Sequence, residues 1–341
     1  MTCDSGLPTA APYKSDDVGL PTAIPYKSDV VTLISNTMSL GRTFTLSSGH
    51  KLPAIGLGAV DLKEDIILEA LKIGYRHIDT AEHYFTEQKV GNAIKRSGIP
   101  REEIFVTTKV WPNNVSKERL VKALKRSLEK LQLDYVDLYL LHWPYSFVQG
   151  DEFDPKDENG LVRLSDPQVP IEETWAAMES LVEAGLVKSI GVSNFTIPKL
   201  EKLVSIAKIK PAVNQVELHP LFPQNELLEW STKHDILLVG YTPLGGNHRV
   251  GGNPEAPLLP DYPELQNIAK RLGKTPASVL ISWAVQRGTS PIPKTTNPER
   301  LRKNFEDYVM SDEIFSEINA LDTGLARNHH SRNWPIDPFE D

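Results

Sequence analysis

The sequence predicts an α/β fold, a (β/α)8 TIM barrel of eight parallel strands preceded by a β-hairpin. Three observations lead to it. From residue 55 onward, short runs of β-branched and aromatic residues alternate with amphipathic helical segments, which is typical of parallel βα units. Eight such runs can be counted, and eight parallel strands suggest a closed barrel. No G-x-G-x-x-G follows the first run, which disfavours a doubly wound dinucleotide-binding sheet.

The N-terminal region differs from the rest of the chain. Residues 6–31 contain a 13-residue unit twice, GLPTAAPYKSDDV and GLPTAIPYKSDVV, with no helical or alternating apolar period. Two copies of so short a unit cannot bury a common face. We therefore predict a flexible, disordered tail over residues 1–40 and a barrel domain over 41–341. A hairpin opens that domain, with strands Phe44–Leu46 and Lys51–Pro53 turning at Ser48-Gly49.

The barrel strands and helices follow in alternation. The predicted strands cover residues 55–57, 77–79, 105–109, 136–142, 190–193, 213–217, 237–241 and 291–294. One helix starts near Ser116 and places leucines from Leu120 to Leu131 on one face. The helix before the fifth strand closes at Gly185, and the last predicted helix opens near Pro298.

Composition excludes several classes of protein. The chain has 341 residues and a net charge of −8, which argues against a nucleic-acid or anionic-membrane partner. Cys3 is the only cysteine, so an intrachain disulfide and a multi-cysteine metal site are excluded. No apolar run reaches the roughly 20 residues needed to span a bilayer, and no secretory signal is present. We expect a cytoplasmic protein.

Polar and aromatic side chains recur where the predicted strands end. The carboxyl ends of barrel strands share one rim, which is where active sites lie. The side chains at these ends are Asp79 with Tyr84 just beyond it, Lys109, His142, Ser193, Asn194, Gln215, Tyr241 and Lys294. Taken singly, such residues are more often structural, because a lone histidine packs in a core and a terminal lysine reaches water. Their convergence predicts a site.

The chemistry of this set suits proton transfer to an oxygen. A phenol has a pKa of about 10, so Tyr84 would be a weak acid unless a neighbouring ammonium stabilised its phenolate. Lys109 would supply that charge, Asp79 would anchor the lysine, and His142 could orient a carbonyl oxygen. A hydride must come from a cofactor, because no side chain supplies one. No H-E-x-x-H or ligand cluster is present, so no metal is expected.

The run IPKTTNPERLRKNF, residues 292–305, could hold the phosphate of such a cofactor. Lys294 ends the last strand, and Arg300 lies in the first turn of the helix that follows. Helix-start amides together with a lysine and an arginine make an anion pocket. An exposed basic helix start is the plainer interpretation of this run alone.

From about residue 43 to 338 the chain resembles the aldo-keto reductases, nearest to their fungal and plant aldose- and aldehyde-reductase branch. The stretches that carry the resemblance include GYRHIDTAEHY, FVTTKVW, DYVDLYLLHWP, KPAVNQVELHP, YTPLG and IPKTTNPERLRKNF. The resemblance implies a monomeric barrel that reduces an aldehyde or ketone with NADPH, with NADH a weaker alternative.

The resemblance also assigns roles by position. It implies a catalytic tetrad of Asp79, Tyr84, Lys109 and His142, with Tyr84 as the general acid. The implied cofactor-binding residues are Ser193, Asn194, Gln215, Tyr241, Lys294, Thr295, Asn297, Arg300 and Asn304. The implied substrate-pocket residues are His142, Trp111, Trp143 and Trp334.

Two departures from the family pattern concern the substrate. Ala59-Val60 stands where relatives usually carry Thr-Trp, and Phe85 follows the tyrosine where a small or polar residue is common. A small aldehyde or aldose such as glyceraldehyde is the first expectation, and a ketone or aldehyde of a secondary metabolic pathway the second. A non-catalytic, NADPH-binding regulatory subunit is an alternative of another class, and a metal-dependent barrel hydrolase is a third, disfavoured by the lack of ligands.

Overall fold

The computed structural model describes residues 40–246, 257–322 and 333–340. It begins with an antiparallel hairpin, β1 (Thr43–Thr45) and β2 (Lys51–Pro53), in which Thr43 faces Pro53. The predicted hairpin is thus confirmed, with its first strand one residue earlier than expected. The predicted tail, residues 1–40, lies outside the described residues except for Leu40.

Eight parallel strands form the barrel and follow one another in chain order. They are β3 (Leu57–Gly58), β4 (His77–Asp79), β5 (Phe105–Val110), β6 (Val136–Leu141), β7 (Val187–Ser193), β8 (Val213–Glu217), β9 (Leu237–Tyr241) and β10 (Ser290–Pro291). Hydrogen bonds also join the first segment to the last. The Gly56 and Gly58 amides donate to the carbonyls of Pro291 and Pro293 at 3.0 and 3.1 Å. The predicted eight-stranded barrel is confirmed.

The two strands at this junction are shorter than predicted. The first covers 57–58 rather than 55–57, and the last covers 290–291 rather than 291–294. Proline has no amide hydrogen, so Pro291 and Pro293 can take part only through their carbonyls. The junction is therefore held by carbonyls of the last segment and glycine amides of the first.

Ten α-helices lie within the described ranges. They are α1 (Glu64–Ile73), α2 (Glu87–Ser97), α3 (Lys117–Leu131), α4 (Ile171–Glu183), α5 (Ile197–Ile206), α6 (Asn225–Lys233), α7 (Pro263–Leu272), α8 (Pro276–Gln286), α9 (Pro298–Asn304) and α10 (Asp312–Asn319). The predicted limits near Ser116, Gly185 and Pro298 agree with α3, α4 and α9. None of these helices is long and apolar enough to cross a membrane.

Two clusters make up most of the hydrophobic core. The larger part packs the helices on the outside of the sheet, where the leucines of α3 from Leu120 to Leu131 are buried. A smaller cluster joins residues of several barrel strands, such as Leu138 and Val239, to Leu46 and Leu52 of the hairpin. Polar side chains lie at the carboxyl ends of the strands.

Candidate active site

A buried ion pair lies at the carboxyl ends of β4 and β5. Asp79 is opposite Thr107 in the parallel ladder, so Lys109, two residues farther along β5, points to the same side of the sheet. The Lys109 ammonium is fully buried and donates to Asp79 Oδ1 at 2.5 Å and to the Thr80 carbonyl at 2.9 Å. Burial lowers the pKa of Lys109, and the negative charge of Asp79 opposes that shift.

Tyr84 lies beside this pair on a single turn of 3₁₀ helix, Glu82–Tyr84, which follows β4. Its hydroxyl is 3.5 Å from Lys109 Nζ, and its ring meets the His142 ring edge-on at a centroid distance of 5.5 Å. The sequence thus placed Asp79, Tyr84, Lys109 and His142 at one rim, and the structure brings them together.

The pKa of the Tyr84 phenol moves opposite to the expected direction. Burial raises it, and the nearby Asp79 carboxylate raises it further. The expectation of a lowered pKa was wrong for this structure, because the burial of the phenol outweighs the effect of the Lys109 charge. The phenol therefore keeps its proton at neutral pH, which is the form that a proton donor must have.

Polar side chains at the ends of β7, β8 and β9 connect to the ion pair. Gln215 on β8 donates from Nε2 to Asp79 Oδ2 at 2.7 Å, and Ser193 on β7 donates to the Gln215 carbonyl at 2.8 Å. Asn194 donates to the His142 carbonyl at 3.0 Å and accepts from the Tyr241 hydroxyl at 2.8 Å. These residues form one hydrogen-bonded arc at the rim from β6 to β9, and Gln215 joins this arc to Asp79 at the end of β4.

The segment after β10 presents two exposed cations at a helix start. Lys294 and Arg300 are both exposed. The Asn297 side chain caps α9 by accepting from the Arg300 backbone amide at 3.0 Å. The backbone amide of Asn297 donates to Thr295 Oγ1 at 3.2 Å. Asn304, at the other end of α9, is buried.

This rim fits a polar, anionic cofactor. The buried hydroxyl of Thr242, directly after β9, has no hydrogen-bond partner among the described residues, so it can bond a ligand. It lies next in sequence to Tyr241, while Lys294 and Arg300 offer positive charge for a phosphate. The described part of the chain brings no three His, Cys, Asp or Glu side chains together as a metal site.

An aromatic cluster contacts the His142 ring. Trp111 meets the His142 ring edge-on at 5.0 Å, and Trp143 follows His142 directly. The C-terminal segment 333–340 brings Trp334 within 4.9 Å of the rings of both Trp143 and Phe147. The three tryptophans expected at the substrate pocket therefore belong to one cluster.

Two residues of this region were not singled out from the sequence. His83 stacks on Trp111 at 3.9 Å, and its Nε2 lies 3.1 Å from Asp154 Oδ2. Trp111 donates from its indole to the other Asp154 oxygen at 3.2 Å. The bond with His83 lowers the pKa of Asp154. His83 stands directly before Tyr84, but nothing in the sequence relates it to a residue 71 positions away.

Comparison with known proteins identifies several relatives. The sequence pattern of the Aldo/keto reductase family matches residues 57–323. An uncharacterised oxidoreductase of Schizosaccharomyces pombe is 44% identical over 301 residues, which are 86% of this chain and 92% of the relative. Aldo-keto reductase family 1 member A1 of Xenopus tropicalis is also 44% identical over 301 residues, covering 85% of this chain and 89% of the relative. Among solved structures, the aldose reductase of Schistosoma japonicum superimposes with a TM-score of 0.75 at 35% identity, over 82% of this chain and 92% of that one.

Proposed function

Because the chain belongs to the aldo/keto reductase family and is an oxidoreductase acting on carbonyl or alcohol groups, we propose that it reduces an aldehyde or ketone with NADPH. The observation that carries the proposal is the position of Tyr84. Its hydroxyl lies 3.5 Å from a buried ammonium, Lys109 Nζ, which is itself paired with Asp79. A protonated phenol next to a fixed positive charge suits proton donation to an oxygen that becomes negative.

Each member of the tetrad has a separate task in this reaction. A reduced nicotinamide, when bound, supplies the hydride. Tyr84 donates its proton to the carbonyl oxygen, and Lys109 stabilises the phenolate that remains. Asp79 holds the lysine in place at 2.5 Å and keeps it charged. His142, whose ring meets Tyr84 edge-on, donates a hydrogen bond to the same oxygen and orients it. In alcohol oxidation the Tyr84 phenolate takes the proton back.

The same proposal assigns the cofactor-binding residues. Ser193, Asn194, Gln215 and Tyr241, which form the hydrogen-bonded arc, would hold the nicotinamide end. The 2′-phosphate would be held by exposed Lys294 and Arg300 together with Thr295 and Asn297, and the adenine would be contacted by Asn304. Two cations at the phosphate position favour NADPH over NADH.

A small aldehyde or aldose such as glyceraldehyde is the proposed substrate, against Trp111, Trp143 and Trp334. One observation favours a second candidate, a more apolar ketone or aldehyde of a secondary pathway. Phe85 is 62% exposed and Val60 is 36% exposed. Both lie near the tetrad. Phe85 follows Tyr84, and Val60 follows Ala59, whose backbone amide donates to the Asp79 carbonyl at 2.8 Å. Exposed apolar side chains there favour an apolar substrate.

The test is NADPH oxidation by the purified protein with glyceraldehyde, aldoses, aromatic aldehydes and ketones, in the presence of a chelator. We expect NADPH to be consumed in a one-to-one ratio with alcohol formed, and NADH to be used less well. Binding of NADPH without turnover of any carbonyl would instead indicate a regulatory subunit. Activity that disappears in the chelator would contradict the metal-free mechanism.

A further inference from the structure

We propose that Glu82 is a positioning residue that holds Tyr84 at its distance from Lys109. The inference rests on the proposed function, in which Tyr84 is the proton donor. The 3₁₀ turn that carries Tyr84 is short, and only two hydrogen bonds between its backbone groups stabilise it. The Tyr84 amide donates to the Ala81 carbonyl at 3.1 Å, and the Phe85 amide donates to the Glu82 carbonyl at 3.4 Å. The place of the phenol must therefore depend on side chains of the turn.

The Glu82 carboxylate connects this turn to the element that carries Lys109. It is 2% exposed, although carboxylates are rarely buried without partners. Its Oε1 accepts from the Arg126 guanidinium on α3 at 2.9 Å, and both oxygens accept from Asn114 Nδ2 at 3.2 Å. Its Oε2 also lies 3.5 Å from the amide of Trp111, the residue directly after β5. One carboxylate thus joins the Tyr84 turn to the end of the Lys109 strand.

The contacts require a carboxylate rather than a side chain of similar shape. Every partner of Glu82 is a donor, so an amide at this position would bring an NH₂ group against another donor. Asn114 cannot relieve this by turning its amide over, because its Oδ1 already accepts from Arg119 Nε at 3.1 Å. Glu82→Gln should therefore move the turn while it leaves the side-chain volume unchanged.

A small movement should be sufficient to slow the reaction. The Tyr84 hydroxyl is 3.5 Å from Lys109 Nζ, which is already long for a hydrogen bond. Misplacing a reacting group by about 1 Å can lower a rate by about 100-fold. A misplaced Tyr84 should lower kcat. NADPH binding should be unchanged, because the predicted cofactor residues lie on other strands and helices.

Asp137→Asn is the matched control for Glu82→Gln. Asp137 is a buried carboxylate that also accepts from an arginine, Arg101, at 2.7 Å and from a backbone amide, that of Val106, at 2.9 Å. It is the second residue of β6, so it lies toward the opposite end of the barrel from Tyr84. Both substitutions remove one buried negative charge that is paired with arginine, and only one of them affects the Tyr84 turn.

The experiment measures kcat, KM and NADPH binding for the wild type and both variants with one aldehyde. We expect Glu82→Gln to lower kcat by about 10- to 100-fold, with the stoichiometry and Kd of NADPH unchanged. Asp137→Asn should lower thermal stability and leave kcat within about twofold of the wild type. Adding Asn114→Asp to Glu82→Gln exchanges donor and acceptor, so that the amide at position 82 donates to the carboxylate at position 114. This double variant should recover most of the lost kcat.

A second variant covers the case in which Glu82→Gln does not fold. Arg126 has a side chain that is 43% exposed, so Arg126→Gln should fold, lower kcat by a smaller factor and leave NADPH binding unchanged. Wild-type kcat in Glu82→Gln, or in Arg126→Gln where Glu82→Gln does not fold, would overturn the inference, as would an equal loss of kcat in Asp137→Asn. A wild-type protein that binds NADPH but reduces no carbonyl would overturn the proposed function and this inference together.

Discussion

Replacing Asp79 by asparagine should destabilise the fold by removing the charge that faces Lys109. The ammonium is fully buried, and its other close acceptor is the Thr80 carbonyl at 2.9 Å. The two oxygens of Asp79 accept from Lys109 Nζ at 2.5 Å and from Gln215 Nε2 at 2.7 Å. An asparagine has one oxygen for these two donors, so one of them would face an NH₂ group.

The size of the loss follows from two limits. Removing one partner of a buried ion pair costs about 3–5 kcal/mol. Lys109 can avoid part of this cost by releasing its proton, at about 1.4 kcal/mol for each unit between the solution pH and a lysine pKa of about 10.4. That alternative costs about 4.6 kcal/mol at pH 7 and about 1.9 kcal/mol at pH 9. The variant adopts whichever state costs less, the unpaired ammonium or the neutral amine. The free energy of unfolding should therefore fall by about 3–5 kcal/mol at pH 7 and by at most about 2 kcal/mol at pH 9.

The pH dependence of this loss comes from Lys109. Burial lowers its pKa and Asp79 opposes that shift, so the pKa falls further when Asp79 is replaced. The folded variant then binds one proton fewer than its unfolded state. Its free energy of unfolding therefore rises with pH relative to the wild type, in which the Asp79 carboxylate favours the protonated form of Lys109.

Urea unfolding of the wild type and Asp79→Asn at pH 7 and pH 9 measures this difference. The double variant Asp79→Asn, Lys109→Met should recover part of the loss at pH 7, because it removes the unpaired charge and keeps an apolar stem. A loss below about 1 kcal/mol at pH 7, or one of equal size at both pH values, would refute the reasoning.

Three further predictions concern the cofactor, a buried acid and the aromatic cluster. Lys294→Ala with Arg300→Ala should raise the KM for NADPH at least about tenfold more than that for NADH in steady-state assays; equal increases would count against the phosphate site. Burial raises the pKa of Glu87, so its stabilising contribution is present below its ordinary pKa of 4.5 and is lost as pH rises through the raised value. Thermal unfolding of Glu87→Gln should therefore show a relative gain in stability from pH 4.5 to pH 7.5, and identical pH profiles would refute this. Asp154→Asn removes the charge from the partly exposed pair with His83 and should raise the substrate KM about threefold at constant kcat; an unchanged KM would show that the pair does not shape the pocket.

Much of the barrel could be predicted because its strands are short apolar runs between helices with one apolar face. Strands 77–79, 213–217 and 237–241 were placed at their observed limits. The largest errors lie at the start of the fifth strand, predicted at residue 190 and observed at Val187, and at the end of the last strand, predicted at residue 294 and observed at Pro291. At the last strand, prolines interrupt the hydrogen-bond ladder. The nearness of Asp79 to Lys109 could be expected because neighbouring parallel strands end at one rim.

The supporting residues of the site could not be predicted from the sequence. Glu82 meets Asn114 and Arg126 across 32 and 44 positions, and each of these residue types is usually exposed. Only the packing of α3 against the end of β5 brings them together. The direction of the Tyr84 pKa shift was wrong for a related reason. The sequence suggests which charges are near, but it does not give the burial that outweighs them.

The central claim, that Tyr84 is the proton donor of a carbonyl reductase, is tested most directly by Tyr84→Phe. The substitution removes only the hydroxyl that lies 3.5 Å from Lys109 Nζ. NADPH-dependent reduction of an aldehyde accepted by the wild type should fall by at least about 100-fold, while NADPH binding stays unchanged. A phenylalanine variant that turns over at a rate near that of the wild type would contradict the claim.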